Sequence, residues 1–268
     1  MSCRRRLITG ISTSAMAVFA GGCAVAQPEG AIVTFTAGVN APHLRPGIDY
    51  RLNQLQEKFY VWRPANFSQS ETYGLIVYTS PAEACTMPDG WAEVLARRKF
   101  LYVAPQNAGN SVLPPRRTGL GVLAALEMMH QYKIDRRRVY AAGLSGGART
   151  ASELALLQPD IFRGTIQDCG SDFYRAVAVH DATIKTDTNG HPYGIMRDAT
   201  AEAVNEARNS CKFVLITGTN DFRRGNILDI YNNGFVPDRF KCKLIDVQGM
   251  GHEDCDGNTL EAALDYLR

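Results

Sequence analysis

Five residues near the middle of the chain, Gly143-Leu144-Ser145-Gly146-Gly147, constrain the fold more than any others. They follow the apolar run Val139-Tyr140-Ala141-Ala142 and precede a segment whose apolar residues recur every three or four positions. A chain passing from strand to helix through so short a turn would drive its flanking side chains together. Glycine two positions on either side of the serine removes that collision. A strand, a sharp turn and a helix in this order belong to an α/β architecture.

The rest of the sequence repeats the theme. From about residue 50 onward, apolar runs alternate with helix-like segments, as βαβ units do in a parallel sheet. Short apolar runs bounded by glycine and proline suit buried parallel strands better than helices. The spacing predicts strands over residues 74–79, 100–104, 139–143, 164–168, 213–217 and 243–247. Residues 50–53 and 59–63 read as an opening hairpin, with Gln54 and Gln56 near its turn. This makes a mostly parallel sheet of about eight strands flanked by helices. Helices are predicted over residues 91–98, 120–132, 146–157, 199–210, 227–232 and 260–267. Residues 27–49, rich in proline and glycine, read as an added strand or a loose arm. Residues 172–198 are polar and irregular and read as a lid-like insert. Residues 27–268 are expected to form one domain, since 45% hydrophobic composition supports a sizeable core and no internal repeat divides them.

The first 26 residues read as a signal peptide. Arg4, Arg5 and Arg6 form a basic start, an uncharged stretch follows, and Ala24-Val25-Ala26 offers a cleavage site before Gln27. The stretch is too short and polar for a membrane span. The paired arginines leave the twin-arginine route open. A lipid anchor at Cys23, in Ala20-Gly21-Gly22-Cys23, is the alternative. The expected location is therefore secreted or periplasmic, or else anchored at the cell envelope. Losing three arginines and no acids takes the formal charge from +2 to −1, which gives no electrostatic case for nucleic acid or acidic membranes. Five cysteines remain, Cys85, Cys169, Cys211, Cys242 and Cys255, and their spacings match no zinc site. Export permits disulfides, and Cys211 with Cys242, near the starts of two predicted neighbouring strands, is the expected pair.

Ser145 stands at the head of a predicted helix, where its oxygen points outward and the positive end of the helix dipole lies beneath a developing oxyanion. Serine alone is a weak nucleophile, so a base and an orienting acid are expected in the order Ser, Asp, His. Asp221 lies four residues beyond the predicted strand 213–217. His252 follows the strand ending at 247, in Gln248-Gly249-Met250-Gly251-His252. Each falls at the carboxyl end of a strand, where open α/β sheets assemble their sites. Asp221 would hold the imidazole tautomer and His252 would relay the Ser145 proton. An aspartate in that place is also a common helix cap; it is the ordered set of three that points to catalysis. His43, His130, His180 and His191 lie upstream of the sheet, within a helix, or in the insert, and read as solvated or structural. Gly146 N–H is the expected first oxyanion donor. The second should come from the loop after strand 74–79, where Pro81 has no N–H, which leaves Ala82. Residues Gln106 to Asn110 read as pocket rim or as an ordinary turn. Arg136-Arg137-Arg138 reads as an exposed turn before strand 139–143.

From about Phe59 to Leu267 the chain resembles the α/β-hydrolase superfamily, and within it the polyhydroxybutyrate-depolymerase-like esterases. Ile134-Asp135 ahead of Arg138-Val139-Tyr140, Gly143 to Gly147, Pro159-Asp160-Ile161-Phe162 and Gly249-Met250-Gly251-His252 carry the resemblance. It implies the α/β-hydrolase fold, a triad of Ser145, Asp221 and His252, no cofactor, and cleavage of small or polymeric carboxylic esters through an acyl-enzyme. The chain departs from the family in lacking His-Gly-Cys in the oxyanion loop. It also carries Leu144 and Glu253 where related feruloyl esterases and tannases place cysteines. Two other readings share the fold: a serine peptidase of the prolyl-oligopeptidase type and a non-catalytic binding protein.

Overall fold

The strand β3, Tyr73–Thr79, is buried at every residue, and its side chains alternate between two apolar layers. Leu75 and Val77 join one layer, Ile76 and Tyr78 the other, as the two-residue period of a strand requires. A strand with two apolar faces needs cover on both sides, and helices supply it. The computed structural model describes residues 30–35, 50–53, 55–177, 179 and 199–268.

Among the described residues the other strands are β1 (Ala31–Thr34), β2 (Lys58–Trp62), β4 (Phe100–Pro105), β5 (Ile134–Leu144), β6 (Gly164–Asp168), β7 (Lys212–Gly218) and β8 (Lys241–Val247). They form one sheet in the order β1-β2-β4-β3-β5-β6-β7-β8. The β1–β2 and β2–β4 pairs are antiparallel and every later pair is parallel. The helices are α1 (Trp91–Arg97), α2 (Pro114–Gln131), α3 (Gly146–Leu157), α4 (Ala201–Ser210), α5 (Arg224–Ile230) and α6 (Gly257–Leu267), with a π-helical turn over Tyr231–Phe235. Leu120 and Leu123 of α2, Ala151 and Leu154 of α3, Val204 of α4 and Ile227 of α5 pack on one face. Trp91 and Leu95 of α1 and Leu260 and Leu264 of α6 pack on the other.

Several sequence expectations change here. Residues 50–53 form no strand; the partner of β2 is β1, drawn from the proline- and glycine-rich segment. The triplet Arg136-Arg137-Arg138 lies inside β5, which begins five residues earlier than its apolar run. Arg138 has its guanidinium 4.4 Å from the Phe100 ring, so a charged residue extends the strand by lying over an aromatic one. Helix α2 starts at Pro114, with proline in its first turn, where a missing N–H costs nothing.

The expected Cys211–Cys242 disulfide is absent: Cys85, Cys169, Cys211, Cys242 and Cys255 are all free thiols. Strand register explains this. Phe213 pairs with Cys242, which leaves Cys211 two residues out of step. Such diagonal neighbours stand about 7–8 Å apart, beyond the roughly 4.4–6.8 Å that a disulfide spans between Cα atoms. The Cys211 thiol donates instead to the Phe162 carbonyl at 3.1 Å.

Residues 1–26, including Cys23, lie outside the described residues, as do 178 and 180–198 of the lid-like insert. Residues 171–177 and 179 carry no helix or strand. No described helix is long and apolar enough to cross a membrane.

Candidate active site

Ser145 sits between β5 and α3 with φ 55° and ψ −117°. A non-glycine residue in such a conformation stores of order 1–3 kcal/mol of strain and persists only where its surroundings enforce it. They do so here. The Ser145 N–H donates to the Asp168 carbonyl at 2.7 Å, and its carbonyl accepts from the Arg149 N–H at 3.1 Å. The backbone of β3 crosses so close that a Cβ on Gly147 would lie 1.8 Å from the Thr79 carbonyl oxygen, and one on Gly143 2.5 Å from it. The two glycines flanking the serine are therefore required by a passing strand as well as by the turn.

Asp221 and His252 meet beyond the carboxyl ends of β7 and β8. His252 Nδ1 lies 2.7 Å from Asp221 Oδ1. The same carboxylate accepts from the Arg223 N–H at 2.9 Å and, through Oδ2, from Thr217 Oγ1 at 2.8 Å. Burial alone would raise the Asp221 pKa. Its hydrogen bonds from His252, Arg223 and Thr217 outweigh burial and hold the carboxyl below its ordinary value. Asp221 is thus held as a carboxylate against the imidazole Nδ1.

The two loops are cross-tied. Asn220 N–H donates to the Met250 carbonyl at 3.0 Å, and Gly249 N–H donates to Thr219 Oγ1 at 2.9 Å. Below His252, Tyr78 donates to Asp254 at 2.5 Å and Trp91 Nε1 to the Cys255 carbonyl at 2.8 Å. The Cys255 N–H donates to Asp168 Oδ2 at 3.3 Å. Asp168 therefore holds the backbone of Ser145 through its carbonyl and the histidine loop through its side chain.

Ser145 and Gly146 line a cavity of about 710 Å³, counted with its open mouth. Cys169, which also lines it, joins the serine side of the site to the acid–base pair. Its thiol lies 3.5 Å from the Gly251 and Glu253 carbonyls, and ligand-type atoms of Cys169, Asp221 and His252 lie within 4.8 Å of one another. This is a group of three that could hold a metal by its residue types. Burial and the Asp221 carboxylate push the Cys169 thiol well above its ordinary pKa, so it stands as a neutral donor to those carbonyls.

Ala82 is the residue expected to give the second oxyanion N–H. It is exposed, it does not line the cavity, and its N–H donates to Ser80 Oγ at 3.0 Å. The cavity wall next to Gly146 is formed by Asn110: a Cβ on Gly146 would lie 2.0 Å from Asn110 Oδ1. The sequence placed Asn110 only on a pocket rim. Phe222 and Cys169 carried no sequence signal beyond lying beside Asp221 and just past β6. Phe222 stacks on His252, with ring centroids 4.2 Å apart. His130 lies in α2, apart from the cavity lining, and His43, His180 and His191 fall outside the described residues.

No family model and no curated protein matches the sequence. Solved structures do match. A ferulic acid esterase aligns at TM-score 0.59 and 16% identity, over 89% of this chain and 97% of that one. A poly(3-hydroxybutyrate) depolymerase from Bordetella parapertussis aligns at TM-score 0.53 and 15% identity, over 79% and 83%. Dipeptidyl peptidase 4 from Porphyromonas gingivalis aligns at TM-score 0.52 and 13% identity. The chain spans about a third of that peptidase and nearly all of the esterase. The sheet order and these neighbours together show the α/β-hydrolase fold.

Proposed function

We propose that the protein is a serine hydrolase that cleaves carboxylic esters through an acyl-enzyme. The reading rests on the 2.7 Å contact of His252 Nδ1 with Asp221, set at the end of the sheet where Ser145 lines the cavity. In the first half-reaction Ser145 Oγ attacks the ester carbonyl carbon as its proton passes to His252 Nε2. The tetrahedral oxyanion is met by the Gly146 N–H and by Asn110 Nδ2, after the Asn110 amide turns its Oδ1 away from Gly146. The carbon–oxygen bond to the alcohol breaks, and the alcohol leaves with the proton returned by His252. Water then attacks the acyl-serine and gives one proton to His252; the bond from the acyl carbon to Ser145 Oγ breaks, His252 returns that proton to Oγ, and the acid is released. Asp221 remains ionised throughout and stabilises the transient imidazolium. No step calls for a cofactor.

The proposal includes export, with residues 1–26 as a leader. N-terminal sequencing of the mature protein tests it: a start at Gln27 supports free secretion and a start at Cys23 a lipid anchor. The activity is tested with p-nitrophenyl esters from acetate to decanoate on the wild type beside Ser145→Ala. Turnover lost in the variant supports the esterase, and the chain-length optimum sizes the acyl pocket. A folded wild type that neither turns over nor takes up a fluorophosphonate at Ser145 overturns it in favour of a binding protein.

A further inference from the structure

We propose that Cys169, Asp221 and His252 form a zinc site whose occupation switches the hydrolase off. The loss of activity rests on the hydrolase reading above; the binding itself does not. The three residues lie beyond the carboxyl ends of β6, β7 and β8, three adjacent strands. One ligand-type atom of each, a sulfur, a carboxylate oxygen and a ring nitrogen, lies within 4.8 Å of the other two. Cys169 is held at φ 55°, and its N–H donates to the Ile216 carbonyl of β7 at 2.8 Å. A non-glycine residue stays in that left-handed region only where its surroundings enforce it. Here the enforced backbone turns the thiol toward the histidine loop, 3.5 Å from the Gly251 and Glu253 carbonyls.

The donor set decides the ion. Calcium and magnesium take six or more oxygen ligands, whereas sulfur with imidazole suits zinc. A dication with one thiolate and one carboxylate is neutral, so the buried site gains no net charge. Zinc stands about 2.0–2.3 Å from such ligands, which sets neighbouring tetrahedral donors roughly 3.4–3.6 Å apart. His252 Nδ1 and Asp221 Oδ1, now 2.7 Å apart, have to part by roughly 0.7 Å. The sulfur has to close by little more than about an ångström. Cys169 lines the cavity together with Ser145, so the ion enters where substrate does and a water from the cavity completes the fourth position.

Binding exchanges the Cys169 thiol proton for the metal; the proton goes to solvent, and nothing is oxidised or reduced. Burial keeps the free thiol protonated, and the charge of the ion reverses that. A neutral imidazole bound through Nδ1 carries its one N–H on Nε2. Nε2 then has no lone pair with which to take the Ser145 proton, and acylation stops.

The test uses the full chain, stripped of metal by a chelator, with cobalt chloride and zinc chloride as probes. A thiolate bound to cobalt gives a charge-transfer band in the near ultraviolet. We expect that band in the wild type, its loss in Cys169→Ala, and a higher cobalt requirement in His252→Ala. Zinc should slow both p-nitrophenyl acetate turnover and fluorophosphonate labelling of Ser145, by about tenfold once free zinc is about ten times its dissociation constant. Added chelator should restore both. Losing an outer-shell partner costs a metal site about 10–100-fold in affinity, and losing a ligand should cost no less. Cys169→Ala should therefore raise the zinc needed for half-inhibition, against its own metal-free rate, by about tenfold or more. His252→Ala carries the binding comparison if Cys169→Ala fails to fold. A wild type without the band, or a band unchanged in the variant that folds, overturns the site and leaves the hydrolase reading intact. Equal zinc sensitivity in Cys169→Ala overturns it as well. A band accompanied by unchanged or faster turnover overturns the inhibition. Neither turnover nor labelling in the metal-free wild type overturns the hydrolase reading, and the cobalt band still decides the site.

Discussion

Phe222 lies over the imidazole of His252, ring centroids 4.2 Å apart and planes inclined by 33°. Phe222 is itself 68% exposed, so the ring is kept at the surface as a cover for the histidine rather than as part of the core. Aromatic contacts of this kind contribute about 0.5–1.5 kcal/mol. Phe222→Ala should lower kcat/KM for a p-nitrophenyl ester by roughly two- to tenfold while leaving Tm nearly unchanged. A loss of folded protein would place Phe222 in the core instead.

Asp221→Asn keeps the shape of the acid and removes its charge. The amide can donate to Nδ1, which turns the imidazole tautomer the wrong way round for a base. An effect on kcat of about three to four orders of magnitude is expected, with KM little moved. A fall of less than tenfold would show that His252 does not depend on Asp221.

Asn110 lines the cavity wall beside Gly146 and is proposed as the second oxyanion donor through its Nδ2, once the amide turns its Oδ1 away from Gly146. Asn110→Ala should reduce kcat by about a hundredfold to a thousandfold with a small change in KM. A change confined to KM would make Asn110 a substrate contact rather than an oxyanion donor.

Asp168 gives a pH signature. It is fully buried, Oδ1 has no hydrogen-bond partner among the described residues, and Asp254 lies close enough to interact. Burial, with the charge of Asp254, pushes its pKa well above the ordinary value, although the Cys255 N–H opposes the shift. The folded chain therefore keeps a proton that the unfolded chain releases above about pH 4, and stability falls as pH rises through that range. Burial also raises Asp254 first and foremost, so it adds to the same slope. Asp168→Asn should flatten the decline of Tm as pH rises above about 4, read by differential scanning fluorimetry. An unchanged slope would rule Asp168 out as its source.

The five described cysteines are free thiols, so adding dithiothreitol should leave Tm where it was. Removal of a native disulfide would cost about 2–5 kcal/mol and lower Tm by many degrees.

What could be read in advance was local. The turn around Ser145 is encoded within five residues, and Asp221 and His252 each follow their own strand at short range, so their order and placement were legible. Pairing between distant segments was not. Whether 31–34 or 50–53 lies beside β2 depends on which segment reaches the sheet edge, and neither has a strong pattern of its own. Cys211 and Cys242 fail to pair through a two-residue offset that only strand register reveals. The place of Ala82 after β3 is legible, but the capture of its N–H by the Ser80 side chain and the approach of Asn110 to Gly146 depend on loop conformation.

Asp168 has a consequence for how activity is acquired. Its carbonyl holds Ser145 and its side chain holds Cys255 in the histidine loop, while its own strand pairs with β5 and β7. Ser145 and the histidine loop are thus tied by one residue that is itself positioned only once β6 has docked between its neighbours. A partly folded chain has no working subset of the site. On refolding, recovered ester turnover should rise together with near-ultraviolet circular dichroism, and neither signal should lead.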